Sequence, residues 1–206
     1  MEVKLKQITV NHFLCAFSVQ WESARVKEGV GLEDLYRDAK AWTAFMLGET
    51  GFLRDVMMQL RVLVPDLRYM REWYTVDALY VGGENLFREN LSYASKVHTL
   101  IEHERGESVE EEMWKMVHWR SPLKVLIMYD YSDPEKTTVL RREWLSRKLL
   151  KLNEMLAKVS EFHPESSETE YLFLVGRQAN LNSKIDWRWT SNTFAGLLPI
   201  PVNGSL

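Results

Sequence analysis

The fold is decided by two hydrophobic runs that carry acids, Trp73-Tyr74-Thr75-Val76-Asp77-Ala78-Leu79-Tyr80-Val81 and Val97-His98-Thr99-Leu100-Ile101-Glu102-His103-Glu104. β-Branched and aromatic residues dominate both runs, and turn-forming residues bound them, so each run predicts a buried β-strand. A carboxylate on a buried strand is costly unless a positive group compensates it. Three acids on two adjacent strands therefore predict a positive group between them, and a divalent metal ion is the first candidate.

The composition is that of an ordinary globular protein, with 206 residues, 46% hydrophobic residues and a net charge of −3. This length favours a single domain over residues 1–206. The charge excludes a net-basic protein that coats DNA, but it allows a local basic surface. No apolar run reaches the ~20 residues of a membrane-spanning helix, and Lys4 and Lys6 interrupt any signal peptide. We therefore expect a cytoplasmic protein with no membrane partner.

Cysteine and histidine usage narrows the chemistry of any site. The single cysteine, Cys15, excludes an internal disulfide and a CxxC zinc site. Its apolar neighbours predict a buried, inert thiol. The histidines show no HxxxH spacing, so zinc is not expected. His103 falls on the strand face opposite Glu102 and Glu104, and we expect it to be a packed or hydrogen-bonded residue.

The first half of the chain predicts a strand, two helices and a meander. Apolar and polar residues alternate over residues 2–10, which predicts an edge strand. Apolar residues at three- and four-residue spacing predict one helix over 32–47, and a second helix runs from Phe52 until Pro65. Strands follow over 68–74, 76–81 and 96–102, with Gly82-Gly83 as a turn signal between the last two.

The second half alternates helices and strands. Ser108 and Glu111 predict a capping box at the start of a helix, and residues 123–129 predict a central strand. Asp133-Pro134 predicts the start of a long helix to about residue 162, and strands over 171–175 and 185–189 follow. The order predicts an α/β fold, a three-layer sandwich with a central mixed β-sheet flanked by helices.

The candidate site consists of acids on two neighbouring strands. Glu102 and Glu104 are two residues apart, so their side chains share one face of a strand. An adjacent antiparallel strand would place Asp77 close to Glu102. Carboxylate oxygens are the ligands that Mg²⁺ prefers, and bound Mg²⁺ can activate water for attack on a phosphodiester.

This pattern resembles the PD-(D/E)xK nuclease superfamily, which contains restriction, recombination and repair nucleases. The resemblance covers about residues 32–130 and rests on Asp77, on Glu-x-Glu at positions 102–104, and on the helix and strand that follow. It implies a restriction-endonuclease-like core of helix, three-strand meander, helix and strand, with a helix and late strands over 133–206. It also implies metal-dependent hydrolysis of DNA, with Asp77 and Glu102 as ligands of Mg²⁺ or Mn²⁺.

The chain departs from the motif of this superfamily at two places. The motif's proline is absent before Asp77, and Glu104 stands where the motif has lysine. An acidic residue occurs there in some restriction enzymes, so Glu104 is assigned as a third ligand or as the residue that orients the water. Lys115, on the following helix, is the candidate for a relocated lysine.

An acid from the first helix often completes such sites. Three acids are candidates for it: Glu33, Asp34 and Glu49. We favour Glu49 as the further metal ligand because it lies at a helix break.

Other functions stay open at this point. A non-catalytic member of the same fold would bind nucleic acid or a protein, and the missing lysine at position 104 favours it. A structural alternative is that the acids pair with buried arginines such as Arg71 or Arg120, or that they lie at solvent-exposed strand ends. An interaction protein would assemble as a homo-oligomer through Met- and Trp-rich faces, although core packing explains these residues better. The residues concerned are Met57, Met58, Met113, Met116 and Trp119. Cleavage of both strands of a duplex needs two sites, so a homodimer is compatible with the nuclease.

Overall fold

The computed structural model describes residues 7–29, 31–73, 75–85, 94–104, 108–130, 138–160, 168–178, 184–193 and 204–205. Its helices are α1 (Val10–Glu28), α2 (Gly31–Arg37), α3 (Ala39–Leu47), α4 (Phe52–Leu60), α5 (Val109–His118) and α6 (Thr138–Ser160). Its strands are β1 (Arg68–Trp73), β2 (Val76–Asn85), β3 (Ala94–His103), β4 (Leu123–Asp130), β5 (Glu170–Gln178), β6 (Ile185–Thr193) and β7 (Gly204–Ser205).

The described N-terminal residues form a helix. Thr9 is the N-cap of α1, and its side chain accepts a hydrogen bond from the amide of His12. The buried residues Phe13, Phe17 and Trp21 recur every four positions and so line one face of the helix. The strand predicted over 2–10 is therefore wrong at its described end, because this aromatic period extends the helix back to Val10. Residues 1–6 lie outside the described residues.

The helix predicted over 32–47 is two helices. Asp38 ends α2 and caps α3, because its carboxylate accepts hydrogen bonds of 2.9 Å from the amides of Lys40 and Ala41. A carboxylate in this position satisfies amides at the start of a helix that have no partner within it. The second predicted helix is confirmed as α4, which packs on α1 through an edge-to-face contact of 5.0 Å between the rings of Phe17 and Phe52.

The sheet is mixed and open. Hydrogen-bonded neighbours follow chain order from β1 to β7. The meander β1–β2–β3 is antiparallel, with Met70 opposite Leu79 and Ala78 opposite Ile101, and β5–β6–β7 is antiparallel as well. Helix α5 lies in the chain between β3 and β4, and helix α6 lies between β4 and β5. The predicted α/β class with a mixed sheet is confirmed, and the restriction-endonuclease-like assignment stays a prediction.

Contacts within the chain define two compact units. The first comprises Met1–Ile101 with Ser121–Leu123, and the second comprises Glu102–Arg120 with Lys124–Leu206. Met57, in the first unit, and Met113 and Met116, in the second, are buried. Core packing is thereby confirmed for these three methionines, whereas Met58 is 40% exposed and is not a core residue.

The capping box predicted at α5 is wrong. Ser108 occupies the N-cap position, but its side chain makes no capping hydrogen bond, since its ψ of 13° lies outside the extended region that capping requires. The first turn instead carries Glu110, Glu111 and Glu112, whose negative charges favour the positive end of the helix dipole. The predicted start of the long helix at Asp133-Pro134 lies outside the described residues, whereas α6 over Thr138–Ser160 agrees with its body.

Cys15, on α1, is exposed, so the prediction of a buried thiol is wrong. Its neighbours Phe13, Leu14, Ala16 and Phe17 are buried, and Cys15 points away from the face of α1 that they form.

None of the described helices combines the length and the hydropathy that a crossing of the membrane requires.

Candidate active site

The carboxylate of Glu102 is the centre of the candidate site. Glu102 lies near the end of β3, and its side chain is 0% exposed. The Nζ atom of Lys115, on α5, lies 3.6 Å from its Oε1 atom. A fully buried carboxylate needs such a cation, because the loss of hydration otherwise opposes its ionisation. The structure therefore brings together Glu102 and Lys115, two of the residues selected from the sequence.

Lys115 serves a second acid from its own helix. Glu112, three residues earlier on α5, forms an ion pair with the Nζ atom of Lys115. The side chain of Lys115 is 27% exposed and that of Glu112 is 15% exposed, so this ammonium reaches from partly solvated surface to the buried Glu102. One lysine thus compensates acids from two elements, and its position is set by both of them.

Glu104 directly follows β3 in the chain and is hydrogen-bonded to β4. Its backbone amide donates a hydrogen bond of 2.9 Å to the carbonyl oxygen of Ile127. Its side chain is partly exposed, in contrast to that of Glu102. By the alternation of side chains along an extended segment, Glu104 and Glu102 point to the same side.

His103 anchors this segment from the other side. Its Nε2 atom lies 2.6 Å from the hydroxyl oxygen of Tyr129, on β4, and the two rings meet edge to face at 5.3 Å. Tyr129 packs in turn on Trp187 at 5.8 Å between ring centroids. The prediction that His103 is a packed, hydrogen-bonded residue is confirmed. Its hydrogen bond holds the backbone between Glu102 and Glu104 against the core.

Asp77 lies on β2, in the first compact unit, and is partly exposed. The next residue of the chain, Ala78, is paired with Ile101, which directly precedes Glu102. Arg71, proposed as an alternative partner of the acids, is exposed and pairs with the adjacent Glu72.

The three acids considered as further ligands take different places in the first unit. Glu49 is exposed in the turn between α3 and α4. The hydrogen bond to Glu72 is the main cause that raises the pKa of Arg71, and the charge of Glu49 contributes to a smaller extent. Asp34, in the first turn of α2, pairs with Arg37 at 2.8 Å, and Glu33 precedes it. The preference for Glu49 as a further ligand stays a prediction.

Sequence reasoning missed a buried lysine. Lys124 lies on β4 and is 0% exposed. Its Nζ atom donates a hydrogen bond of 3.1 Å to the hydroxyl oxygen of Tyr171, on β5, and lies 5.1 Å from the centroid of that ring. Burial lowers the pKa of Lys124 to about 7. The available signal was a single charge within the apolar run Leu123–Tyr129.

Carboxylate oxygens are the donors that a hard divalent cation prefers. Within the described ranges, no three or more His, Cys, Asp or Glu side chains gather as a set of metal ligands. Mg²⁺ often keeps several waters and takes only one or two protein carboxylates, so a carboxylate such as that of Glu102 has the oxygen donors it requires. The same donors suit Mn²⁺.

The resemblance to the PD-(D/E)xK nuclease superfamily rests on the motif and on the order of helices and strands, because comparisons with known proteins add no match to it. The chain matches no protein-family model, no curated protein and no solved structure.

Proposed function

We propose that this chain is a metal-dependent nuclease of the PD-(D/E)xK type, which hydrolyses phosphodiester bonds in DNA. The observation that carries the proposal is the fully buried carboxylate of Glu102, 3.6 Å from Lys115, at the end of the third strand of the meander. Helix α4, strands β1–β3, helix α5 and strand β4 follow one another in the order that the resemblance implies. Buried, charge-compensated acids of this kind are typical of functional sites.

The proposal assigns a role to each acid and to the lysine. Glu102, and by the resemblance Asp77, would hold Mg²⁺ or Mn²⁺, with Glu49 as a further ligand. The bound ion would supply an activated water and would neutralise charge on the phosphodiester. Glu104, which is partly exposed, would be a third ligand or would orient the water. Lys115 would hold the carboxylate of Glu102 in place and would stand in for the motif's lysine.

The test is cleavage of supercoiled plasmid and of single-stranded DNA in the presence of Mg²⁺ or Mn²⁺. The wild type is compared with Asp77→Ala and Glu102→Gln, and with Glu111→Gln, which changes an exposed acid on α5. We expect metal-dependent nicking that both site variants abolish and that the control retains. Cleavage that persists in both site variants at the wild-type rate would refute the assignment.

A second candidate is a non-catalytic member of the same fold that binds DNA or a protein. One observation favours it: the described residues contain no group of three potential metal ligands. For this candidate we expect DNA retardation in a gel without any cleavage, and unchanged retardation by Glu102→Gln. Size-exclusion chromatography of the same samples tests the homodimer.

A further inference from the structure

Trp114 exposes a large aromatic surface on α5. It is 57% exposed, whereas the other seven tryptophans, all of which the structure describes, are buried or half-buried. The stability that an aromatic side chain contributes depends on the area it removes from water. A ring that leaves more than half of its surface in water contributes little in this way. Packing within the chain therefore does not account for a tryptophan at this position.

The ring of His118, one turn later on α5, extends this aromatic surface. Its centroid lies 4.5 Å from that of Trp114, and the two rings meet edge to face at an angle of 68°. Residues four apart are neighbours on the surface of a helix, and His118 is exposed as well. The indole is thus held against a second ring while most of its surface stays in water.

Basic side chains of α6 lie beside the first turn of α5, one turn before Trp114. The Nζ atom of Lys148 lies 2.8 Å and 2.7 Å from the two carboxylate oxygens of Glu110. Burial opposes the ionisation of Glu110, but the hydrogen bond from Lys148, with a smaller contribution from the charge of Lys151, lowers the pKa of that carboxyl overall. Glu110 is four positions before Trp114, so these two lysines lie close to the exposed ring.

The acids of this first turn are largely compensated. Glu110 is paired with Lys148, and Glu112 forms an ion pair with Lys115. Glu111 is the exposed acid of the turn. The surface around Trp114 therefore carries less negative charge than the run of three glutamates indicates.

Helix α6 adds exposed cations to the same surface. Arg147 and Lys151 are exposed and four positions apart, so they are neighbours on one face of α6. The exposed acids Glu143 and Glu154 lie one turn beyond either end of this pair. The positive stretch is thus confined to the part of α6 around Lys148, the residue that contacts α5.

The exposed ring also lies next to the candidate active site in the chain. Lys115 directly follows Trp114, and its Nζ atom lies 3.6 Å from the carboxylate of Glu102. Successive residues of a helix are separated by a rise of only about 1.5 Å. A DNA strand with a phosphodiester at Glu102 therefore passes Trp114 within the span of a few nucleotides.

We propose that Trp114 stacks on an unpaired base of single-stranded DNA, while Arg147 and Lys151 contact the phosphates of the same strand. The inference rests on the proposed nuclease function, and it names single-stranded DNA as the substrate class. An exposed aromatic ring beside a short positive stretch is the combination that single-strand binding uses, because every base offers a face for stacking and every nucleotide carries a phosphate. Paired bases in a duplex do not offer that face.

The experiment measures fluorescence anisotropy of a labelled oligothymidylate and of a labelled duplex, both in EDTA. We expect Trp114→Ala to raise Kd for the single strand by about 5- to 150-fold, as loss of one stacked base does. Duplex binding should be unchanged. Trp114→Tyr keeps a ring and should restore most of the affinity. Val26→Ala, which shortens an apolar side chain on α1 that is 85% exposed, is the control and should bind as the wild type does.

Two further probes separate the base from the phosphate. An oligonucleotide with abasic sites in place of thymidines should bind the wild type more weakly, and Trp114→Ala should no longer distinguish the two strands. Lys151→Met should reduce the slope of log K against log salt concentration by about 0.7, the value for one phosphate contact on a single strand.

Four results would overturn the inference. The first is absence of wild-type binding to oligothymidylate, and the second is equal affinity of the wild type and Trp114→Ala for it. The third is an equal loss of affinity for the duplex. The fourth is a change from dimer to monomer on size-exclusion chromatography of Trp114→Ala, which would assign the ring to an interface between copies of the chain.

Binding in EDTA does not need activity, so the two proposals fail separately. Binding that depends on Trp114 and on the bases, in a wild type that cleaves no DNA, would refute only the nuclease. Metal-dependent cleavage by a protein whose single-strand affinity does not depend on Trp114 would refute only the stacking.

Discussion

The Nε2 atom of His103 lies 2.6 Å from the hydroxyl oxygen of Tyr129, and this buried hydrogen bond ties the end of β3 to β4. His103 stands between Glu102 and Glu104 in the chain, so its anchor on one side of the sheet steadies two candidate acids on the other. The contact is structural, and its effect on the site is indirect.

Tyr129→Phe removes the hydroxyl of this pair and keeps the ring. We expect a loss of about 1–3 kcal/mol in the free energy of unfolding, because the buried imidazole loses this hydrogen bond. Urea denaturation followed by tryptophan fluorescence measures this loss. A variant as stable as the wild type would show that the hydrogen bond does not stabilise the fold.

Gly176→Ala disturbs the same anchor from β5. A Cβ atom at position 176 would lie 2.7 Å from the Cε1 atom of Tyr129 and 3.0 Å from the Cζ3 atom of Trp187, so one of the rings must shift. Overpacking of this kind costs about 1–3 kcal/mol. Thermal unfolding of the variant should show a lower midpoint, and an unchanged midpoint would contradict the close packing of the two rings on Gly176.

Lys115→Met leaves the carboxylate of Glu102 buried without the cation at 3.6 Å. Removal of one partner of a buried ion pair destabilises a protein by about 3–5 kcal/mol. We expect a loss toward the lower end of that range, because Lys115 is 27% exposed. Chemical denaturation measures it, and the double variant Lys115→Met/Glu102→Gln should recover part of the loss. Equal losses in the single and double variants would argue against the pair.

The buried Lys124 predicts a dependence of stability on pH. Its pKa is about 7 in the folded chain, because burial opposes the charged form, against an ordinary value of 10.5. Between these two values the unfolded chain binds more protons at this position than the folded chain, so stability rises with pH over that range. We therefore expect the wild type to gain stability from pH 7 to pH 9 relative to Lys124→Met. Parallel curves for the two proteins would show that the amine is not desolvated.

Cys15 offers a direct test of the first helix. It is exposed on α1, whereas its apolar neighbours are buried. We expect a thiol reagent to modify Cys15 in the native protein at a rate close to that in the unfolded chain. Protection of the thiol until denaturant is added would show that this face of α1 is covered.

Local patterns were sufficient for much of the fold. The apolar runs around Leu79, Leu100 and Leu126 predicted strands because β-branched and aromatic residues favour the extended chain. The spacing of Leu53, Val56, Met57 and Leu60 predicted α4 because such a period lines one face of a helix. The first helix was not predicted, because residues 2–10 alternate as in a strand and the four-residue period of buried aromatic residues begins only at Phe13.

The candidate site was predictable only in part, for a physical reason. Glu102 was identified from the sequence because a charge at the end of an apolar run is unusual. Lys115 was also named as a candidate. Its proximity to Glu102 depends on the direction that α5 takes after β3, which only the structure shows. Ser108 had the residue type of a cap, yet its backbone conformation decided against a capping hydrogen bond. The residue type makes a contact chemically possible, but the contact forms only where the backbone places the two groups within reach.

The sequence by itself determined the α/β class, the positions of most strands and the choice of Glu102, because each depends on neighbours within a few residues. Only the tertiary structure decided that Lys124 is wholly buried and bonded to Tyr171, and that His103 meets Tyr129. These partners lie 47 and 26 positions apart in the chain. The pairing of strands brings them together, and the desolvation that lowers the pKa of Lys124 exists only once the surrounding strands have packed.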